Sequence, residues 1–314
     1  MAIWLRFVIW RLVRLGVVLL VLLFATFMIV RLVPGDPARL AAGFDATPQD
    51  VANMRAEMGL DRSLPVQFAD YAGHIIKLDL GKSYSSHEPV AAIIGARLQK
   101  TTELAAAALA LVMLLSVPIG ITAAALTREG RHRRGELIFG AVTSVLGAVP
   151  EYLAATFLVF IFALKLAWLP VAGSDDWNSI VLPALAVAIT PTAHLSRIVR
   201  VTTLNVLAQD YIRTARSKQL PRRLLYVRHV LPNVLTAALT IGGLIFASLI
   251  GGAVIVENVF AWPGLGTAVV QAVISRDFLV VQAAVLLLGA AVVLVNTIVD
   301  LALGALDPRS LVRA

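Results

Sequence analysis

The sequence contains no cysteine, and this absence removes several classes of chemistry at once. Disulfides, zinc–thiolate sites, iron–sulfur clusters and thiol catalysis are all excluded. Charged residues are also scarce, since they make up 15% of the chain whereas soluble domains carry about 25%. Neither H-E-x-x-H nor G-x-S-x-G occurs, so metalloprotease and serine-hydrolase functions have no support. The residues therefore indicate no catalytic, cofactor-binding or metal-binding site.

Apolar side chains are correspondingly abundant. They form 59% of the 314 residues, and the mean hydropathy is +0.85. One water-soluble core cannot hide so much apolar surface, so the chain is predicted to be an all-α integral membrane protein. A helix needs about 20 mostly apolar residues to cross the hydrocarbon layer. Six stretches qualify as transmembrane helices: 12–30, 104–127, 137–164, 177–196, 230–256 and 278–299.

The net charge of +8 raises the possibility of nucleic-acid binding, but its placement favours a membrane topology signal instead. If both termini are cytoplasmic, the inner segments hold 17 basic and 4 acidic residues, and the outer segments hold 10 basic and 12 acidic residues. This asymmetry predicts cytoplasmic termini and no nucleic-acid partner. The first stretch is interpreted as an uncleaved span, because its apolar run is long for a signal peptide and no small-x-small cleavage site follows it directly.

Two connections are too long to be simple turns. The outer one, 34–100, has mixed polarity and is predicted to form a small extracytoplasmic subdomain with short helices over 48–58 and 66–76. The inner one, 197–228, carries eight basic residues and is predicted to form short helices broken around Gln219, Leu220 and Pro221. The alternative for this inner loop is a plain positive-inside anchor.

One ionisable residue lies near the middle of a predicted span, and it is Glu151. Such residues are functional hypotheses by default, because burying a charge at a helix centre costs at least ~2.5 kcal/mol on insertion scales. Glu103 and Asp300 lie at span ends within reach of water, and His194 is interpreted as a polar packing residue. Proton-coupled pumps usually need a relay of several ionisable groups within the spans. One carboxylate does not provide such a relay, so the energy for any transport is predicted to enter through a partner.

The inner loop resembles the EAA loop of ABC-importer permeases, whose pattern is E-A-A, three residues, G, nine residues, I-x-L-P. Ala215 falls on the last alanine, and Leu231 with Pro232 falls on the final L-P. Gln219 replaces the glycine. Arg213 stands where the founding pattern has Glu, as is common in the peptide-permease branch.

Further segments are similar to the B-type subunit of dipeptide and oligopeptide permeases, and they are collinear over nearly the whole chain. They are 31–37, 59–67, 79–84, 169–173, 257–266, 296–300 and 306–309. The resemblance implies a type I ABC-importer permease fold with six transmembrane helices. It also implies four divisions: 1–33 with helix 1, the loop 34–100, a permease core 101–304 that includes a coupling loop 205–233, and a cytoplasmic tail 305–314.

The resemblance further implies the partners and the site. The chain would pair with a C-type permease subunit, bind two ATPase subunits that use ATP and Mg, and receive peptides from an extracytoplasmic binding protein in the bacterial inner membrane. It would bind no cofactor and catalyse nothing itself. The residues implied for ATPase coupling are Asp210, Tyr211, Arg213, Thr214, Ala215, Arg216, Lys218, Gln219, Leu231 and Pro232.

Two hypotheses concern single residues. Ala215 is predicted to lie against the ATPase, since a small side chain permits close approach. Glu151 is predicted to line the translocation path and to meet a substrate amine or a cation of a partner subunit. Relatives of this branch are also associated with nickel and haem, so these substrates remain alternatives. A stand-alone ion-coupled carrier is the alternative from another class, and it would transport without an ATPase.

Overall fold

The computed structural model describes residues 2–32, 36–42, 46–128 and 132–306. Within these ranges the regular structure is helical, apart from one antiparallel bridge between Lys82 and Pro89. Several residues covered by the sequence predictions lie outside the described residues. They are residue 1, 33–35 in the first family-like segment, 43–45 in the outer loop, 129–131 in the first inner loop, and 307–314 in the tail.

The chain forms two compact units, one of residues 1–101 with 263–314 and one of residues 102–262. The helices of the first unit are α1 (Ala2–Leu32), α2 (Pro37–Ala42), α3 (Pro48–Glu57), α4 (Leu64–Ile76), the start of α5 (Val90–Thr127), α13 (Leu265–Ile274) and α14 (Phe278–Leu306). Those of the second are the rest of α5, α6 (Arg133–Ala148), α7 (Glu151–Leu158), α8 (Val181–Leu207), α9 (Asp210–Ser217), α10 (Arg222–Leu224), α11 (Leu231–Gly252) and α12 (Val254–Val259).

Five helices of the described residues are long and apolar enough to cross a bilayer, and a bent pair makes a sixth if it counts as one span. In the first unit, α1 and α14 run antiparallel. Arg11 pairs with Asp300 near one end, and the side chain of Gln282 donates to the carbonyl of Thr26 (3.0 Å) toward the other. The start of α1 and the end of α14 therefore lie at the same end of this unit.

The outer loop forms the two short helices predicted for it, α3 and α4. Thr47 caps α3 in a capping box with Asp50, which fixes where that helix begins. Helix α4 packs on α1 through aromatic rings, with Phe27 and Phe68 edge to face at 5.3 Å. The hydroxyl of Tyr71 lies 3.2 Å from that of Thr26. The loop is thus attached to the end of a candidate span.

A buried carboxylate holds a second part of this loop. Asp277, directly before α14, is 2% exposed and accepts hydrogen bonds from the hydroxyls of Ser83 and Ser85. These bonds join the turn before α5 to the start of α14 across almost 200 residues of sequence. Burial, together with the charges of Asp277 and Glu57, raises the pKa of the Tyr84 phenol in the same turn.

The span predicted over 137–164 is not one straight helix. Helix α6 ends at Ala148, and α7 begins at Glu151 after a bend of 96°. Pro150 has no N–H to continue a helix, and it forces Val149 into an extended conformation (φ −72°, ψ 121°). Glu151 therefore stands at the first position of a helix, beside its free N–H groups, rather than at mid-helix. The helix continues as a π-helical segment, Val159–Lys165.

Other predicted boundaries also move, and α5 begins at Val90 rather than at 104. Helix α8 continues beyond 196 to Leu207, so the residues at the start of the predicted inner loop are helical. The fifth span ends earlier than predicted, since α11 stops at Gly252 and Ala253 separates it from α12.

Close packing of α5 on α8 depends on Gly120. A Cβ built there would lie 2.5 Å from Cγ1 of Val199 and 2.7 Å from the carbonyl oxygen of Ser196. Because one of these neighbours is backbone, the two helices cannot accommodate a methyl group without moving apart.

We expect Gly120→Ala to destabilise the protein by about 1–3 kcal/mol, as overpacking does elsewhere. Thermal unfolding of the detergent-purified protein would show this as a lower Tm. Gly16→Ala is the matched control, because nothing lies within 4 Å of a Cβ there and alanine is the better helix former. An unchanged Tm for Gly120→Ala would contradict the close approach of α5 and α8.

Candidate functional site

The predicted coupling loop is a two-turn helix, α9, set between the long helices α8 and α11. Gln209 precedes it in an extended conformation (φ −69°, ψ 150°) and marks its start. Asp210 occupies the first turn, where a negative charge is favoured. The chain then turns at Gln219 and resumes as a helix after Pro221, so the predicted break around 219–221 is confirmed.

Helix α9 is amphipathic, and its apolar face is anchored in the second unit. Ile212 is fully buried and Ala215 is 6% exposed. Both belong to a hydrophobic cluster with Leu207 at the end of α8 and Val230 at the start of α11. The anchor therefore connects α9 to the ends of two long helices, so that a displacement of α9 must also move them.

The exposed face of α9 carries four of the ten predicted coupling residues, Asp210, Tyr211, Arg213 and Thr214. Tyr211 is 45% exposed, and the side chain of Arg213 is 74% exposed in an i,i+3 pair with Asp210 (3.5 Å). Arg216 and Leu231 are half-buried. The other predicted residues that are exposed are Thr214, Lys218, Gln219 and Pro232.

The hypothesis for Ala215 needs correction. Its side chain faces the hydrophobic cluster of its own chain and not the exposed surface of α9. The physical reason is spacing, because Ala215 follows Ile212 by three residues and so shares its buried face. A small residue permits close approach here too, but it is the approach of α9 to the bundle.

The turn after α9 explains the replaced glycine of the EAA-like pattern. Gln219 has φ +56°, in the left-handed region that favours glycine. Its N–H donates to the carbonyl of Arg216 (2.8 Å), and the N–H of Leu220 donates to that of Ala215 (3.4 Å). This is the Schellman arrangement, completed by Leu220 packing against the cluster that contains Ala215. The turn geometry is kept, with glutamine in a strained conformation.

Glu151 lies apart from α9, at the bend between α6 and α7. Its side chain is half-buried, and it forms no hydrogen bond or ion pair with any other residue that the structure describes. Ala154 and Ala155, one turn further on, are buried, so Glu151 shares the inward face of α7. No group of three or more metal-ligating side chains occurs among the described residues.

Sequence reasoning missed two arginines on α8 by assigning them to a basic loop. Arg200 bonds to Thr127 (2.9 Å) and pairs with Glu136 (2.8 Å). Arg197 donates to Thr143 (2.8 Å) and to Ser144. The four-residue spacing of the buried positions continues past the predicted end of the span at 196. These positions are Leu195, Val199, Thr203 and Leu207.

A multi-pass helical bundle with an exposed helix anchored between two long helices describes an integral membrane subunit. Two family models match the chain. The family described as the binding-protein-dependent transport system inner membrane component matches residues 116–312. The family that describes the N-terminal part of the same component matches residues 4–105. The chain belongs to this family of inner membrane transport components. It is therefore a multi-pass inner membrane protein.

Named relatives cover almost the whole chain. The glutathione transport system permease protein GsiC of Salmonella typhimurium is 37% identical over 304 residues, which are 97% of this chain and 98% of the relative. GsiC of Pectobacterium atrosepticum is 38% identical over 305 residues, with the same coverage. A protein of Brucella abortus named as a peptide transport system permease is 38% identical over 301 residues, 93% of this chain and 94% of the relative.

We expect Gln219→Gly to stabilise the turn after α9 by about 1 kcal/mol, because it removes the cost of a left-handed side-chain-bearing residue. Hydrogen exchange of the amides of residues 219 and 220 should slow accordingly. Gln219→Val should accelerate the same exchange, since a β-branched residue fits this conformation poorly. Equal exchange in both variants would contradict the Schellman turn.

Proposed function

We propose that the chain is the permease subunit of an ATP-driven ABC importer that moves peptides into the cell. The names of relatives that match over nearly their full length support the substrate class. The single observation that carries the coupling part is the anchoring of α9. One face of this helix is buried against α8 and α11, and the other is exposed and basic enough to meet a partner.

The coupling follows from this anchoring. ATPase subunits that close on nucleotide would push the exposed face of α9. Because Ile212 and Ala215 belong to the same packed cluster as the ends of α8 and α11, the push would move these helices as a rigid body. A path between this chain and its permease partner would then open alternately outward and inward. Glu151 is proposed to line that path.

The proposed assembly has four kinds of protein. A C-type permease subunit completes the path, two cytoplasmic ATPase subunits use ATP and Mg, and an extracytoplasmic binding protein delivers the peptide. In this type I arrangement the bent pair of α6 and α7 counts as one of six spans. Both termini and α9 face the cytoplasm, while the loop 34–100 faces outward, as the positive-inside rule requires. The proposed divisions are those of the sequence: 1–33, 34–100, 101–304 with the coupling loop 205–233, and 305–314.

Lys218→Glu tests this function, because it reverses a charge on the exposed end of α9 without touching the buried cluster. We expect the purified complex to lose most of its ATPase subunits and its binding-protein-stimulated ATP hydrolysis. The measurement is the ratio of ATPase to permease after affinity purification of the tagged permease.

Lys77→Glu is the matched control. Lys77 is also exposed, also closes a short helix, and also precedes a residue with positive φ, but it lies in the outer loop. It should leave the ATPase ratio unchanged. Full retention of ATPase subunits by Lys218→Glu would contradict docking at this end of α9, and a permease that transports peptides without any ATPase would indicate an ion-coupled carrier.

A further inference from the structure

Two ionisable side chains of opposite sign lie along the pair formed by α8 and the α6–α7 bend, and the coupling loop uses neither. They are Arg197 on α8 and Glu151 at the bend. Neither has an ion-pair partner among the residues that the structure describes. An uncompensated charge in a membrane-spanning bundle is costly, so such residues face a water-filled cavity or a ligand.

Arg197 is held in place by neutral groups. Its Nε donates to the hydroxyl of Thr143 (2.8 Å), and its Nη2 donates to the carbonyl of Gly140 (3.4 Å) and to the hydroxyl of Ser144. These three acceptors fix the guanidinium on α6 but leave its charge unneutralised. The Nη1 donors bond to no described residue, so one side of the guanidinium remains available for a carboxylate.

Arg200, one turn further along α8, shows the contrasting arrangement. Its guanidinium pairs with Glu136 and bonds to Thr127, and its side chain is 15% exposed. It also lies 5.8 Å from the centroid of the Phe139 ring. Arg200 is therefore a compensated, structural cation, whereas its neighbour at position 197 is not.

Contacts between α6 and α8 show where the bend lies along α8 relative to Arg197. Thr190 donates to the carbonyl of Val149 (3.1 Å), two residues before Glu151. The ring of His194 lies against Gly147, where a Cβ would be 3.2 Å from it. Because Thr190, His194 and Arg197 are spaced by four and three residues, they form one polar stripe on α8.

The distance along this stripe matches a short peptide. Val149, two residues before Glu151, lies level with Thr190. Arg197 is seven residues beyond Thr190, which is about 10 Å along a helix that rises 1.5 Å per residue. An extended peptide covers about 3.3–3.6 Å per residue, so three residues span roughly the same length.

We propose that Glu151 and Arg197 bind the two ends of a zwitterionic peptide in the translocation path, the carboxylate taking the α-amine and the guanidinium the α-carboxylate. This inference rests on the proposed function and adds the polarity and length of the cargo. Arg197 is a specificity-determining residue of that path.

The test uses the complete transporter with its binding protein, reconstituted in proteoliposomes. Three radiolabelled probes are compared: trialanine, trialanine amide and N-acetyl-trialanine. Each variant's uptake rate is divided by the wild-type rate for the same probe, so that the preference of the binding protein cancels. Binding-protein-stimulated ATP hydrolysis of each variant shows that the complex is assembled.

We expect Arg197→Gln to lower trialanine uptake about tenfold, the value of one charge-assisted hydrogen bond, and trialanine amide uptake less than about twofold. Glu151→Gln should lower trialanine about tenfold and N-acetyl-trialanine less than about twofold. Arg197→Lys keeps the charge and should retain most of the uptake, which separates charge from folding. Arg200→Gln is the control and should lower uptake of the three probes alike.

Equal losses for free and blocked peptides in Arg197→Gln would overturn the inference and indicate a pairing with a partner-subunit carboxylate instead. Wild-type uptake in every variant would overturn it as well. Failure of the wild-type transporter to move any of the three probes would instead contradict the proposed peptide function. The two failures are therefore distinguishable.

Discussion

The hydrocarbon of a bilayer offers no hydrogen-bond partner, so every polar group inside must be satisfied by the chain itself. The backbone meets this constraint by forming helices over the spans. Hydroxyl groups meet it by bonding back to the preceding turn, as Thr122 does to the carbonyl of Pro118 (2.7 Å) and Thr203 to that of Val199 (2.7 Å). Arg200 meets it through a carboxylate. Among the charged side chains that the structure describes, Glu151 and the free side of Arg197 have no ion-pair partner, and we propose a ligand for these two.

The same constraint shows how the break at Pro150 is tolerated. A proline in this position ends α6, because it has no N–H for the carbonyl four residues before it, and the chain turns by 96°. The bend leaves the carbonyl of Val149 outside both helices, and this carbonyl accepts a hydrogen bond from the hydroxyl of Thr190. The bend also places Glu151 at a helix start, where the free N–H groups of the first turn favour its negative charge. The break between α6 and α7 is thus the place where a charged side chain, Glu151, begins a helix.

The same contacts stabilise helix α9 and connect it to the long helices. Eight residues are too few for a stable isolated helix, so α9 depends on tertiary packing. Ile212 and Ala215 provide that packing, and the turn at Gln219 closes the helix over Leu220. Because the anchor involves the ends of α8 and α11, the residues that stabilise α9 are also those that connect it to the spans.

Composition and periodicity alone predicted the class of protein, the approximate positions of the spans, the short helices α3 and α4, and the break after α9. These features are local, since about 20 apolar residues or a proline act through their immediate neighbours. Pro150 marks the bend in the sequence, but the apolar residues on both sides of it led to the prediction of one span. The burial of Ala215, the turn at Asp277 and the contrast between Arg197 and Arg200 were decided by tertiary structure. Each depends on partners far away in sequence, such as Ser83 for Asp277 and Glu136 for Arg200, and only packing brings such groups within hydrogen-bond distance.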